Sequence, residues 1–230
     1  MAERAGYGQF CPISMAAEVV CTRWTPLVMR ELLSGSTRFT DLRRGVPRMS
    51  PSLLSKRLKE LERAGVITAD ARPDGNSDYR LTEMGEDLRP LIMGLGIWGQ
   101  RWVESKLSLR NLDPSLLMWD MRRCIDPRPM PPRRCTIHFL YPELPAGARN
   151  WWLVIEPAGI DLCSFDPGHE IDLLVTAPLR AMTAVWMGIT SLAAEVDAHR
   201  INLDGDPSLA RSMQQWLGLS PFAREPRRVG

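Results

Sequence analysis

Apolar positions repeat every three or four residues through the first hundred residues, and at shorter, strand-like intervals in much of the second half. The sharpest repeat is in 50–64, SPSLLSKRLKELERA, where Leu54, Leu58 and Leu61 stand at i, i+4 and i+7 and form one apolar stripe. At about 100° per residue, Ser52, Lys56, Lys59 and Arg63 fall on the opposite face. Ser50 is a good N-cap, and Pro51 suits the first helical position, where its missing N–H costs nothing. Upstream, 12–21 and 26–33 read as helices, the second ended by Ser34 and Gly35, and 38–44 as a short third helix closed by Gly45 and Pro47. The helix at Ser50 follows after a turn of a few residues, which is a helix-turn-helix order. Beyond Gly65, strand-like 66–71 and 78–81 flank Pro73-Asp74-Gly75-Asn76, a strong turn signal, and together predict a β-hairpin.

Thr82 predicts the cap of a further helix, with Glu83, Glu86 and Asp87 in its first turns. Leu88, Leu91, Leu95, Trp98 and Trp102 then alternate at spacings of three and four, a coiled-coil-like seam that Pro90 should interrupt. Such a seam fits a dimer contact or packing against the following domain. After a connector at 107–133 containing a short helix (114–123), strand-like runs at 134–141, 151–156, 160–165 and 171–176 are separated by Pro/Gly turns and predict an antiparallel meander. Helices at 178–189 and 191–199, a strand at 201–203 and a helix at 206–217 complete an α+β chain. The expected organisation is therefore a winged-helix domain at 1–106, the connector, a second domain at 134–223 and a mobile tail at 224–230.

Composition is that of an ordinary globular protein, with 44% hydrophobic and 24% charged residues. Net charge is only +2, but 36–63 holds eight Lys/Arg against three Asp/Glu, so positive charge is local and argues for one anionic contact surface. No run approaches a membrane span or a signal peptide, and a cytoplasmic protein without a membrane partner is expected. Five cysteines without a CxxC pair suit reduced thiols better than a disulfide frame or a zinc site. Asp166-Pro-Gly-His169-Glu170-Ile-Asp172 reads as a turn entering a strand and not as a metal site. With no GxSxG, P-loop or GxGxxG, no residue set for catalysis and no cofactor is expected.

The outward face of 50–64 carries short side chains first and cations after them, the order a helix entering a major groove beside phosphates needs, although an ordinary amphipathic surface helix shares the pattern. In the first reading Ser52, Ser55, Lys56 and Lys59 lie at the bases, Arg38, Arg43 and Arg44 on phosphates, and the N-cap Ser50 is a further DNA-binding candidate. Arg72, Asn76 and Arg80 of the hairpin reach a phosphate or a minor groove. The stretches CPISMAAEVVCTRWTPLVMRELLSG, RFTDLRRGVPRMSPSLLSKRLKELERAGVI, YRLTEMGEDLRP and LGIWG, spanning 11–102, resemble the HxlR family of bacterial winged-helix regulators. The resemblance implies a regulator, most simply a repressor, bound as a homodimer to a palindromic operator in double-stranded DNA, with Met15–Val20 and Leu88–Trp102 building the dimer. It further implies that Cys11, just before the first helix, is an oxidant or electrophile sensor, a reading consistent with the helix dipole favouring a thiolate there. A packed N-cap-like residue is the alternative for Cys11.

The second half is rich in Trp and Met, which can line an apolar cavity or simply fill a core. RNWWLVIEPAGIDLCSFDPGHEIDLLVT, LRAMTAVWMG and WLGLSPFA are similar to the sterol-carrier-protein type 2 fold. That resemblance implies a five-stranded sheet packed with helices around a site for a small apolar or lipid-like ligand. Trp151, Leu153, Leu162, Leu173, Met182, Trp186, Met213 and Trp216 are the candidate lining. A carrier or enzyme domain tethered to DNA is the competing reading of this half.

Overall fold

The computed structural model describes residues 6–104 and 109–229. The expected domain ends at 1–5 and 105–106, the opening of the connector at 107–108 and the last tail residue, 230, lie outside the described residues. The architecture is mixed α+β, and two compact units separate between Leu95 and Gly96.

The first unit runs α1 (Pro12–Val20), α2 (Thr25–Leu33), α3 (Phe39–Gly45), α4 (Pro51–Arg63), β1 (Ile67–Ala71), β2 (Ser77–Leu81) and α5 (Glu83–Glu86), and ends within α6 (Arg89–Trp102). Ser50 caps α4, its Oγ accepting from the Leu53 N–H at 3.3 Å. Leu54, Leu58 and Leu61 are buried with Val28, Met29, Leu42 and Ile67, so the predicted stripe is the inner face of α4. Helix α3 is clamped to α2 by Arg30, which donates to the buried Glu31 carboxylate at 2.8 Å and to the Gly45 carbonyl at 2.6 Å. A Cβ at position 45 would lie 1.8 Å from that carboxyl group, so the contact requires glycine. Strands β1 and β2 pair antiparallel, and Gly75 takes the left-handed conformation (φ 79°) that their short turn needs. The Tyr79 N–H donates to the Thr37 carbonyl at 2.8 Å, which fastens the wing to the α2–α3 turn. Thr82 caps α5 by accepting from the Gly85 N–H, and the helical path breaks between α5 and α6, next to Pro90.

The second unit contains the end of α6, then α7 (Pro114–Cys124), β3 (Cys135–Leu140), β4 (Asn150–Glu156), β5 (Gly159–Cys163), β6 (Leu173–Thr176), α8 (Leu179–Trp186), α9 (Leu192–Asp197), β7 (Asn202–Gly205) and α10 (Pro207–Trp216). Asp113, Ser191 and Asp206 cap α7, α9 and α10 with side-chain oxygens that accept from helical N–H groups. The sheet order β5-β4-β3-β6-β7 corrects the expected all-antiparallel meander: β3, β4 and β5 do form one, but β6 joins the far side of β3 in parallel. The Asp166-Pro-Gly signal is a local turn, with the Gly168 N–H donating to Asp166 Oδ1 at 2.8 Å. It lies inside a longer crossover, and a turn signal does not determine which strand the chain meets next.

Residues of the expected mobile tail make several contacts within this unit. Arg101 donates to Glu225 at 2.7 Å, the Arg228 N–H donates to the Arg101 carbonyl at 2.8 Å, and Arg227 donates to the Val103 carbonyl at 3.2 Å. Phe222 fills the space left by Gly96, where a Cβ would come within 2.2 Å of its ring.

Candidate nucleic-acid interface

With its leucines turned inward, α4 presents Ser52, Lys56, Lys59 and Arg63 to solvent, while Ser55 is half-buried at the edge of that face. The side chains of Lys56 and Lys59 make no ion pair among the described residues. Arg57, although part of the same basic run, is turned away: it pairs with Glu60 and donates to the Arg23 carbonyl. Helix α3 brings the exposed Arg43 and Arg44 to its C-terminal end, and Arg38 stands exposed at its N-cap. Arg48, exposed in the α3–α4 turn, is a further candidate that the sequence reading missed; lying outside both helical patterns, it left no periodic signal.

The wing differs in its electrostatics. Arg80 pairs with Asp70 at 3.3 Å, and Arg72 with Asp78 at 3.4 Å and Asp74 at 3.6 Å. At the tip the Asn76 N–H donates to Asp74 Oδ1 at 3.0 Å, and this bond, with one from the Asn76 side chain, holds the Asp74 carboxyl below the usual carboxylate range. Arg72, Asn76 and Arg80 are therefore brought together on one hairpin, but both guanidinium groups already face carboxylates.

The two segments that the family resemblance assigns to the dimer expose apolar surface. On α1, Ile13 (79% exposed), Met15 and Val19 face solvent, although Val20 is buried. On α6, Leu91, Leu95, Trp98 (61%) and Trp102 are exposed along one stripe, while Ile92, and Leu88 just before the helix, pack in the first unit's core. Cys11 is the N-cap residue of α1, half-exposed, with no side-chain cap bond.

The eight candidate ligand residues gather in one cluster of the second unit. Leu153, Leu173, Met182, Met213 and Trp216 are fully buried, Trp186 nearly so, and Trp151 and Leu162 pack against them. Both Trp151 and Trp216 satisfy their indole N–H on a backbone carbonyl, at 2.8 Å in each case. The same cluster holds the fully buried Tyr141, whose hydroxyl donates to Met118 Sδ at 3.1 Å and whose pKa burial pushes well above the ordinary phenol range. On another part of the sheet His138, isolated in the sequence, stacks on Trp152 with centroids 4.5 Å apart and shares a 3.0 Å bond with Asn150; burial pulls its pKa below the usual imidazole value. Among the described residues no group of three or more His, Cys, Asp and Glu is placed to hold a metal ion, and no helix is long and apolar enough to cross a membrane.

Known proteins are similar in sequence to the first part of this chain. The family profile described as HxlR-like helix-turn-helix matches residues 19–107. The HTH-type transcriptional regulator YvaP of Bacillus subtilis is 34% identical over 99 residues, which is 42% of this chain and 92% of that protein. The regulator sll1512 of Synechocystis is 32% identical over 101 residues, 43% of this chain and 75% of its own. Among solved structures, the reduced form of the regulator YodB from B. subtilis is 28% identical and covers 40% of this chain and 93% of its own, with a TM-score of 0.35. The chain belongs to the HxlR-like helix-turn-helix family of transcriptional regulators.

Proposed function

We propose that the protein is a dimeric DNA-binding repressor whose α4 lies in the major groove, with half-sites about one helical turn apart. The single observation that carries this reading is the outward face of α4, where two lysines without ion-pair partners among the described residues stand on a helix held from behind by three buried leucines. Arg38, Arg43, Arg44 and the wing position the protein on phosphates, while Ser52, Ser55, Lys56 and Lys59 reach bases. The exposed apolar stripes of α1 and α6 support a homodimer, since uncovered surface of this kind marks an interface. The test is titration against duplex DNA from the promoter of its own gene: Arg43→Ala should weaken every sequence and flatten the salt dependence, and unchanged binding in both Arg43→Ala and Lys56→Ala would refute the docking. Trp98→Ala should shift the oligomeric state toward monomer in sedimentation.

The second unit supplies the regulatory input in this reading. Its five-stranded sheet with helices accords with the sterol-carrier resemblance, and its Met- and Trp-rich cluster suits a small apolar ligand. Such a ligand must prefer one dimer geometry, because equal affinity for two states shifts neither. Native mass spectrometry of the purified protein checks this: a retained apolar molecule is expected, and an empty domain that leaves DNA affinity unchanged on lipid addition argues against it. A thiol input is favoured by one observation, that Cys11 sits half-exposed beside the uncovered Ile13 of α1. If it operates, Cys11→Ser abolishes release of DNA by a quinone while leaving the untreated affinity in place.

A further inference from the structure

The register of the wing puts its charges on one face. Residues two apart on a strand share a side, so Thr68, Asp70 and Arg72 of β1 and its turn lie with Asn76, Asp78 and Arg80 of the returning strand. Tyr79 and Leu81, on the other side, pack against the core. Asp70 and Asp78 are direct cross-strand partners, an arrangement in which like charges repel. The two arginines brace them diagonally, Arg80 on Asp70 and Arg72 on Asp78, with Asp74 sharing Arg72 from the tip. Between Ile67 and Leu81 three carboxylates thus face two guanidiniums, a net charge of −1, whereas residues 36–63 carry +5.

We propose that this ladder is an electrostatic gate on sequence-independent DNA binding: Asp70 and Asp78 hold Arg80 and Arg72 until a backbone phosphate takes their place. The inference rests on the DNA-binding reading above. The contacts are suited to exchange. They run 3.3–3.6 Å, longer than a tight ion pair; Asp70 and Arg80 are both more than half exposed, so that pair is screened and weak, while the Arg72–Asp78 pair is more covered and the stronger of the two. A phosphate presents the same anionic oxygens in a geometry that a guanidinium grips with two N–H groups. Until that exchange occurs the wing offers a random polyanion no net positive charge. The carboxylates thereby lower affinity for all duplexes, and only a complex already docked through α4 keeps a phosphate beside the wing long enough to displace them.

The test uses the full chain and a short mixed-sequence duplex, titrated at about 50 and 200 mM salt. Asp70→Asn, which is isosteric, should tighten binding and add one released counterion to the salt slope, and Asp78→Asn, which leaves Arg72 with Asp74, should tighten it by less. One added phosphate contact is an extra loss of about threefold between the two salt concentrations. In an Arg80→Ala background, Asp70→Asn should give no gain over Arg80→Ala alone. Equal affinity of Asp70→Asn, Asp78→Asn and the unsubstituted protein would overturn the gate while leaving the DNA-binding reading intact. A gain that persists without Arg80 would also overturn it, since the carboxylate would then act by simple repulsion. If neither the unsubstituted protein nor the Asn variants bind the duplex at the lower salt, the DNA-binding reading fails and the gate with it.

Discussion

Helix α4 and the β1–β2 hairpin each expose strong bases, and they hold them in opposite ways. Lys56 and Lys59 stand on a rigid helix without ion-pair partners among the described residues, whereas Arg72 and Arg80 stand on a hairpin where every guanidinium meets a carboxylate. A contact surface is therefore not measured by counting its cations. What a phosphate feels is the charge left after neighbours have been satisfied, and the two elements differ in that remainder. The difference also separates their roles: α4 supplies standing attraction and shape, and the wing supplies a contact conditional on docking.

The comparison breaks most completely if the support behind α4 is removed. Leu58 is buried beneath the basic face, and Leu58→Ala should cost about 2–5 kcal/mol by chemical denaturation, through reduced burial and the cavity left behind. Gly45→Ala belongs in the same range of effect, because its methyl group would overlap the Glu31 carboxyl and push α3 off α2. In both variants DNA affinity should fall in step with the folded fraction; retained stability would mean that the α2–α3–α4 packing is softer than its geometry implies.

Next in size is the pair of lysines. Lys56→Ala combined with Lys59→Ala leaves the fold alone, since both side chains are exposed, and removes two cations that no described carboxylate holds back. If both lysines reach bases, the double variant should lose about 1–3 kcal/mol for each contact on promoter DNA and much less on a mixed-sequence duplex, read by titration of both. An equal loss on both duplexes, with the salt slope shallower by about 0.9 for each lysine, would move Lys56 and Lys59 from bases to phosphates.

These features are unequally visible in the sequence. Ser50, the leucine stripe and the Pro-Asp-Gly turn are local signals, and caps, helical period and turn chemistry act over a few residues, so α4 and the wing can be read directly. The wing's ladder is visible in principle: a fixed turn sets the register, and the register places Asp70 opposite Asp78. It escapes a reading that assigns cations to DNA one at a time, without asking what lies across the strand. Arg57 misleads for a similar reason, its position in a basic run concealing a partner one turn later, Glu60. The parallel β3–β6 pairing and the Phe222–Gly96 contact have no local signal at all, because each joins segments brought together only by the finished fold. For the same reason the eight residues proposed to line a ligand site can be gathered from composition and motif but not arranged.

The smallest expected effect sharpens the comparison most. Arg80→Ala should change unfolding free energy by no more than about 1 kcal/mol, because its partner is exposed and an exposed pair is offset by side-chain entropy and screening. Arg30→Ala, one arginine for another, should cost several times as much, about 3 kcal/mol, since Arg30 serves a buried carboxylate and the Gly45 carbonyl at once. Parallel denaturation of the two variants measures this ratio. If Arg80→Ala proved as costly as Arg30→Ala, the wing's ion pairs would be structural braces too strong for a phosphate to displace, and the contrast between a standing surface and a conditional one would disappear.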